Sequence, residues 1–223
     1  MNSEELAILK QGARQFGLEL SPDELSRFDR YLALIKKWSG KISLTALRGD
    51  REIVLKHFLD SLAVHPLLGE NLLVMDLGAG VGCPGIPLKI ARPSLRLLLL
   101  EARAKKVSFL CQVIRTLELK DTRAIQQRAE DTIFQAGLKG QVDVVLARAV
   151  GELDWLIRLA APYLGPRGRL IAMKGPAPET EIQAALPSLK KLGYRVREVR
   201  AYTLPKSREA RTLVVVGAEN PSG

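Results

Sequence analysis

Between Met75 and Ala91 the chain reads MDLGAGVGCPGIPLKIA, which sets Asp76 just ahead of Gly78, Gly80, Gly82 and Gly85. A turn needs one or two glycines. Four read as backbone brought close to a ligand, because a residue without a Cβ lets main-chain N–H groups approach it. Gly80, Gly82 and Gly85 satisfy G-x-G-x-x-G, and Glu101 follows about twenty residues on, as in a nicotinamide or flavin dinucleotide loop. A glycine-rich structural turn is the plainer alternative. Asp76 shifts the balance. In D-x-G-x-G-x-G the carboxylate would repel a pyrophosphate but suit a ligand carrying an ammonium group. S-adenosylmethionine has an amino-acid ammonium, a sulfonium and a ribose, and no phosphate. Glu101 could then accept hydrogen bonds from both ribose hydroxyls.

For these residues to meet, Asp76 and Glu101 must stand at the carboxyl ends of neighbouring strands, where open α/β sheets bind ligands. The pattern supplies such strands. LLVMDLG and LRLLLLEA are short apolar runs, TRAIQQ is weaker, and VDVVLARAV and GRLIAMKG follow. Helical spacing separates them in PGIPLKIA, AKKVSFLCQVIRTLEL, ELDWLIRLAAPYL and ETEIQAALPSLKKLG. YRVREVRAYTL and RTLVVVGAE end the pattern as two successive extended segments. Alternating strands and helices predict an open, mainly parallel sheet covered on both faces, and the final pair predicts a hairpin with one antiparallel strand.

The first seventy residues read as helical. SEELAILKQGARQFG stops near Gly17. Ser21, Pro22 and Glu24 form the N-cap, N1 and N3 positions of a capping box. That helix runs to about Trp38 with Leu25, Phe28, Leu32 and Ile35 on one face. SGKISLTALRGD is a loop, and a shorter helix is expected from Glu52 to Leu68. The division expected is 1–70, a helical extension, and 71–223, the ligand-binding domain.

Composition narrows the partners. Lys and Arg number 34 against 24 Asp and Glu, a net charge of +10, which points to a polyanion and to nucleic acid ahead of membrane. The cations are dispersed, in groups such as Arg48, Arg51 and Lys56, Arg103, Lys105 and Lys106, and Lys206, Arg208 and Arg211, with no basic tail, so any nucleic-acid surface is expected on the folded body. No apolar run reaches the roughly 18 residues of a membrane helix. The start MNSEELAILK is not a signal peptide. The two cysteines, Cys83 and Cys111, form no C-x-x-C pair and the two histidines form no cluster, so no metal site and a reducing, cytoplasmic setting are expected.

If the ligand is S-adenosylmethionine, a methyl acceptor is implied, and it is read from what the loops lack. Amino-group methyltransferases of nucleic acid carry Asn/Asp-Pro-Pro-aromatic after the fourth strand, where this chain has LARAV, with Arg148 at the start of the loop. Neither cysteine sits where C5 chemistry on cytosine would need it, and both read as small packing residues. Guanine N7, whose lone pair is free in the neutral base, needs neither a base nor a nucleophile.

D-x-G-x-G-x-G followed by a strand ending in an acid is similar to the first motif of the seven-stranded, Rossmann-like S-adenosylmethionine-dependent methyltransferase fold. Further, HFLDSLAV, DLGAGVGCPGIPLKIARP, KKVSFLCQV, RAED, ARAV and MKG together resemble the RsmG (GidB) family over about Leu25 to Gly217. The resemblance implies methylation of guanine N7 in the decoding-region loop of 16S ribosomal RNA, by a monomer that yields S-adenosylhomocysteine. It implies that Gly78 and Cys83 line the methionine side of the cofactor, and that Glu101, with Ala102 and Arg103 beside it, takes the ribose. Ala129 and Glu130 would hold the adenine, though Glu130 also fits an ordinary helix-start acid. Arg148 would border cofactor and substrate as the catalytic residue, with Lys174 of MKG on the substrate side. His57 and Asp60 are read either as a loop closing over the site or as a pair capping the next helix. Cys83, Glu101 and Cys111 stand where the family often has leucine, aspartate and arginine.

Overall fold

A computed structural model describes residues 1–219. Asn2 caps α1 (Ser3–Gln15) by accepting from the N–H groups of Glu4 and Glu5. The capping box at Ser21 and Glu24 opens α2 (Pro22–Ser39), whose buried face includes Phe28, Tyr31, Leu32 and Ile35. The helix expected from Glu52 to Leu68 is instead a composite. α3 (Asp50–Ile53) enters a π-helical turn (Val54–Leu59), which continues into α4 (Asp60–Leu62) and a 3-10 turn (His65–Leu67). Val54, Leu55, Phe58, Leu59 and Leu62 keep helical apolar spacing throughout, so periodicity gives no sign of the wider turn. Single π turns of this kind gather at functional sites.

The sheet has seven strands in the order β3-β2-β1-β4-β5-β7-β6. These are β1 (Leu73–Leu77), β2 (Arg96–Glu101), β3 (Thr122–Gln126), β4 (Val142–Arg148), β5 (Leu164–Lys174), β6 (Tyr194–Thr203) and β7 (Ala210–Ala218). Only β7 runs antiparallel to its neighbours. β1 carries Asp76 one residue before its end, and β5 starts earlier than the GRLIAMKG run, with Leu164 paired to Val142. The chain order reverses between β1 and β4, so a crevice must open at their carboxyl ends.

On one face α2, α5 (Gly85–Ala91), α6 (Ala104–Thr116) and the segment 50–67 share one apolar cluster with Val74, Leu97, Leu99, Val144 and Leu146. Burial of such side chains contributes roughly 1.5–3 kcal/mol each, and here it fastens the first seventy residues to the sheet beside the crevice. On the other face α8 (Leu153–Ala160) and α9 (Glu179–Leu192) pack on Met75, Leu77, Val145 and Leu170, with Phe134 of α7 (Thr132–Gly137) against their cluster.

Candidate active site

A cavity of about 640 Å³ opens at the reversal point, walled by Gly78, Gly80, Cys83, Arg148, the loop Leu44–Leu47 and the π-helical turn. The glycine stretch divides its work there. Gly80 has φ +55°, and a Cβ there would meet only the Gly78 carbonyl at 3.6 Å and Lys106 Nζ at 3.8 Å, so its backbone conformation, rather than packing, is what calls for glycine on this part of the cavity wall. Gly82 and Gly85 do not line the cavity. A Cβ on Gly82 would fall 2.3 Å from Ile86 Cδ1, and one on Gly85 2.8 Å from Leu99 Cδ2. Gly82 makes room for Ile86 of α5 and the Tyr31 hydroxyl, and Gly85 lets α5 press onto Leu97 and Leu99 of the sheet, which corrects the expectation that all four face a ligand.

Asp76 lies beneath this loop, fully buried and off the cavity wall. Its Oδ2 accepts from Gly85 N–H at 2.8 Å, while Oδ1 is buried without a partner. Burial pushes the carboxyl up to about 7, against the opposing pull of the Gly85 N–H and the Arg148 charge. An orphaned carboxylate oxygen under a glycine loop fits a cation above it. Glu101 is also buried; its Oε2 accepts from Gly80 N–H at 3.0 Å and its Oε1 from Arg103 N–H at 2.9 Å. Each oxygen keeps a lone pair for a second donor, as a vicinal diol would supply. Like Asp76, Glu101 lies behind the glycine loop rather than on the cavity wall; the two carboxylates fit the ammonium and the ribose of S-adenosylmethionine in their chemistry, as acceptors with lone pairs to spare.

Ala102 and Arg103 follow on the exposed turn into α6. Ala129 and Glu130 lie beyond the end of β3, next to β2 in the sheet but outside the central cavity. The Ala129 carbonyl already accepts from Tyr163 Oη and Gln135 Nε2, both at 2.8 Å. Glu130 is exposed.

Arg148 closes the cavity floor. Its NH1 donates to the Lys56 carbonyl at 2.7 Å and to Asp60 Oδ2 at 3.2 Å, and its NH2 to His57 Nδ1 at 3.0 Å. Two of the five guanidinium N–H groups remain for a ligand. His57 can only accept at Nδ1, because arginine only donates, so its Nε2 carries the proton toward Thr45 Oγ1 at 2.8 Å. Burial, then the Arg148 charge, lowers the His57 pKa to about 3, and the ring is neutral. Asp60 accepts on its other oxygen from Tyr202 Oη at 2.7 Å. His57 and Asp60 thus stand on helical turns and neither closes as a loop nor caps the next helix; they hold Arg148. The π turn matters because it lets the Lys56 carbonyl, His57 and Asp60 converge on one guanidinium. Lys174 lines the cavity but is paired with Glu181 and donates to the Gly151 carbonyl at 2.5 Å, so it braces the loop after β4.

Three contributors were not legible in the sequence pattern. Tyr31 sits on the apolar face of α2, fully buried, and its hydroxyl donates to the Val81 carbonyl in the glycine stretch, 3.6 Å from Cys83 Sγ. A tyrosine on an apolar helix face signals a hydroxyl with a partner to find. Thr45 and Tyr202 offered no such signal.

The chain matches the family model for GidB, rRNA small subunit methyltransferase G, over residues 24–211. It is 36% identical over 220 residues to a ribosomal RNA small subunit methyltransferase G of Acetivibrio thermocellus, covering 97% of this chain and 90% of that one. It is 40% identical over 220 residues to one of Deinococcus deserti, covering 97% and 89%. In fold it is similar to M. jannaschii TYW2 in complex with AdoMet, with a TM-score of 0.61, 18% identity and coverage of 80% and 78%. It is also similar to a SAM dependent methyltransferase of Aquifex aeolicus, with a TM-score of 0.55, 18% identity and coverage of 74% and 93%.

Proposed function

The chain belongs to the GidB family of small-subunit rRNA methyltransferases, and from that premise we propose that it methylates N7 of an unpaired guanine in the decoding-region loop of 16S ribosomal RNA. S-adenosylmethionine, when bound, supplies a methyl carbon already activated by its sulfonium. Glu101, oriented by the N–H groups of Gly80 and Arg103, would hold the ribose end, and Asp76 would offer its field to the ammonium. The proposal extends to action as a monomer in the cytoplasm, on naked RNA or the small subunit. Among the described residues no helix is long and apolar enough to cross a membrane.

The observation that supports N7 is that no free base stands on the cavity wall among the described residues. His57 is neutral and bonded at both nitrogens, Asp60 is bonded at both oxygens, and Lys56 and Lys174 are ion-paired. Burial pushes the Cys83 thiol up, so it is no ready nucleophile. Chemistry that must first remove a proton lacks its agent. N7 attack needs none: the guanine lone pair forms the N–CH3 bond as the carbon–sulfur bond breaks, and positioning supplies the acceleration. The two unengaged N–H groups of Arg148 suit the guanine O6 beside N7. The base must be unstacked to enter, since the A-form major groove is too narrow.

The test is chemical. Methylation at N7 fixes a positive charge on the imidazole ring and opens it to reduction. Small-subunit RNA incubated with protein and labelled S-adenosylmethionine should break at one site after borohydride and aniline, at the labelled residue. Label on an adenine amino group or a ribose hydroxyl, with no break, would overturn N7 and keep the methyltransferase.

A further inference from the structure

The cavity's own cations are already ion-paired, four of them to three carboxylates. Arg148 pairs with Asp60, Lys56 and Arg211 with Glu209, and Lys174 with Glu181. They brace the protein and leave little charge for RNA phosphates. A second groove, of about 460 Å³, shows the reverse. It lies between the Lys41–Ser43 segment and the first turn of α6, and Lys41, Arg103, Lys105 and Lys106 line it. None of these four side chains has an ion pair or hydrogen bond among the described residues, and no acid lines the groove. Arg103 caps α6 without a side-chain hydrogen bond, so the positive end of a 13-residue helix faces the same place. Four like charges gathered on one groove repel one another, which an anion would offset.

The groove adjoins the site. One loop walls both spaces, with Ile42 and Ser43 on the groove and Leu44 and Thr45 on the cavity. Lys106 Nζ lies 3.8 Å from the place a Cβ on Gly80 would occupy. A strand whose base enters the cavity can reach the groove by running its backbone over this loop.

We infer that the groove formed by Lys41, Arg103, Lys105 and Lys106 seats the phosphodiester backbone of the acceptor RNA beside the flipped base. This rests on the methyltransferase reading above. Phosphates provide the matching anion, and contacts to them set the register of the strand without reading its sequence.

The experiment compares Lys41→Ala/Lys105→Ala with Lys190→Ala/Lys191→Ala, a pair of exposed lysines at the end of α9 remote from the site. RNA affinity is measured against salt, S-adenosylmethionine affinity by calorimetry, and turnover at varied RNA. The groove pair should lower the salt slope by about 0.7 per cation, the single-strand value. It should raise KM for RNA with kcat nearly unchanged, and leave cofactor binding intact. The α9 pair should leave the slope and KM as they are. Equal losses from both pairs, an unchanged slope in the groove pair, or a loss of cofactor affinity in that pair would each overturn the groove assignment. Failure of the parent chain to methylate any RNA would instead sink the functional reading, while the binding slopes would still report on the groove.

Discussion

Asp76 is the residue whose chemistry reaches furthest. Its carboxyl, raised to about 7 by burial, is largely protonated below that pH. An ammonium held nearby favours the ionised form, so cofactor binding should release a proton below pH 7. Affinity should rise with pH and level off above it. Calorimetry in buffers of different ionisation enthalpy reads this directly; binding without proton release at pH 6 would show that the ligand's cation does not sense Asp76. The same shift has a stability sign. The folded pKa is above the unfolded one, so this contribution is present below about pH 4 and lost as pH rises toward 7. His57 works the other way: its pKa is depressed to about 3, so its contribution is present above about 6.5 and lost as pH falls. Glu101→Ala should weaken cofactor binding by about 1.5–3 kcal/mol, the range for hydrogen bonds to a charged group, with an unchanged dissociation constant excluding the ribose role. Arg148→Lys keeps the charge but loses the fork that three acceptors hold. It should cut turnover by about tenfold or more while RNA affinity changes little. An equal fall in both would make Arg148 a phosphate contact.

At the scale of elements, the site is a joint between α2, the π-helical turn, the glycine loop and β6. Tyr31→Phe removes the one hydroxyl by which α2 grips the glycine stretch. It should cost about 0.5–1.5 kcal/mol in stability, the usual net value of a hydrogen bond, and weaken cofactor binding in parallel. Denaturant unfolding with unaltered cofactor affinity would make Tyr31 a packing residue only. Much of this frame was legible in the chain. The Ser21–Glu24 capping box, the strands ending near Asp76 and Glu101, and the single antiparallel strand all follow from local chemistry or short-range period. The joint itself was not. The steps of four from Val54 to Phe58 to Leu62 and from Leu55 to Leu59 suit an α turn as well as the wider π turn, so residues 54–59 read as ordinary helix. His57 and Asp60 looked like a loop or a cap because their partner, Arg148, lies about ninety residues away in sequence. Tyr202 reaches Asp60 from the far edge of the sheet, a pairing that only the order β5-β7-β6 creates. The distinction between Gly80, open to the cavity, and Gly82 and Gly85, packed on protein, likewise depends on neighbours from other elements.

At the scale of the molecule, a helical extension sharing one apolar cluster with the sheet places its loop Leu44–Leu47 and its π turn over the methyl-transfer crevice. The net charge of +10 is spread over this body, and binding to RNA should fall steeply with salt as phosphate counterions are released and recaptured. If this fold delivers one methyl group to one guanine of the small-subunit RNA, mass-spectrometric mapping of 16S ribosomal RNA from cells lacking the protein should show the loss of a single 7-methylguanosine from the decoding-region loop. The same cells given back the parent chain should regain it, and cells given Arg148→Lys should regain little or none. An unchanged 7-methylguanosine there, or a missing methyl group on another base or on a ribose, would contradict this account.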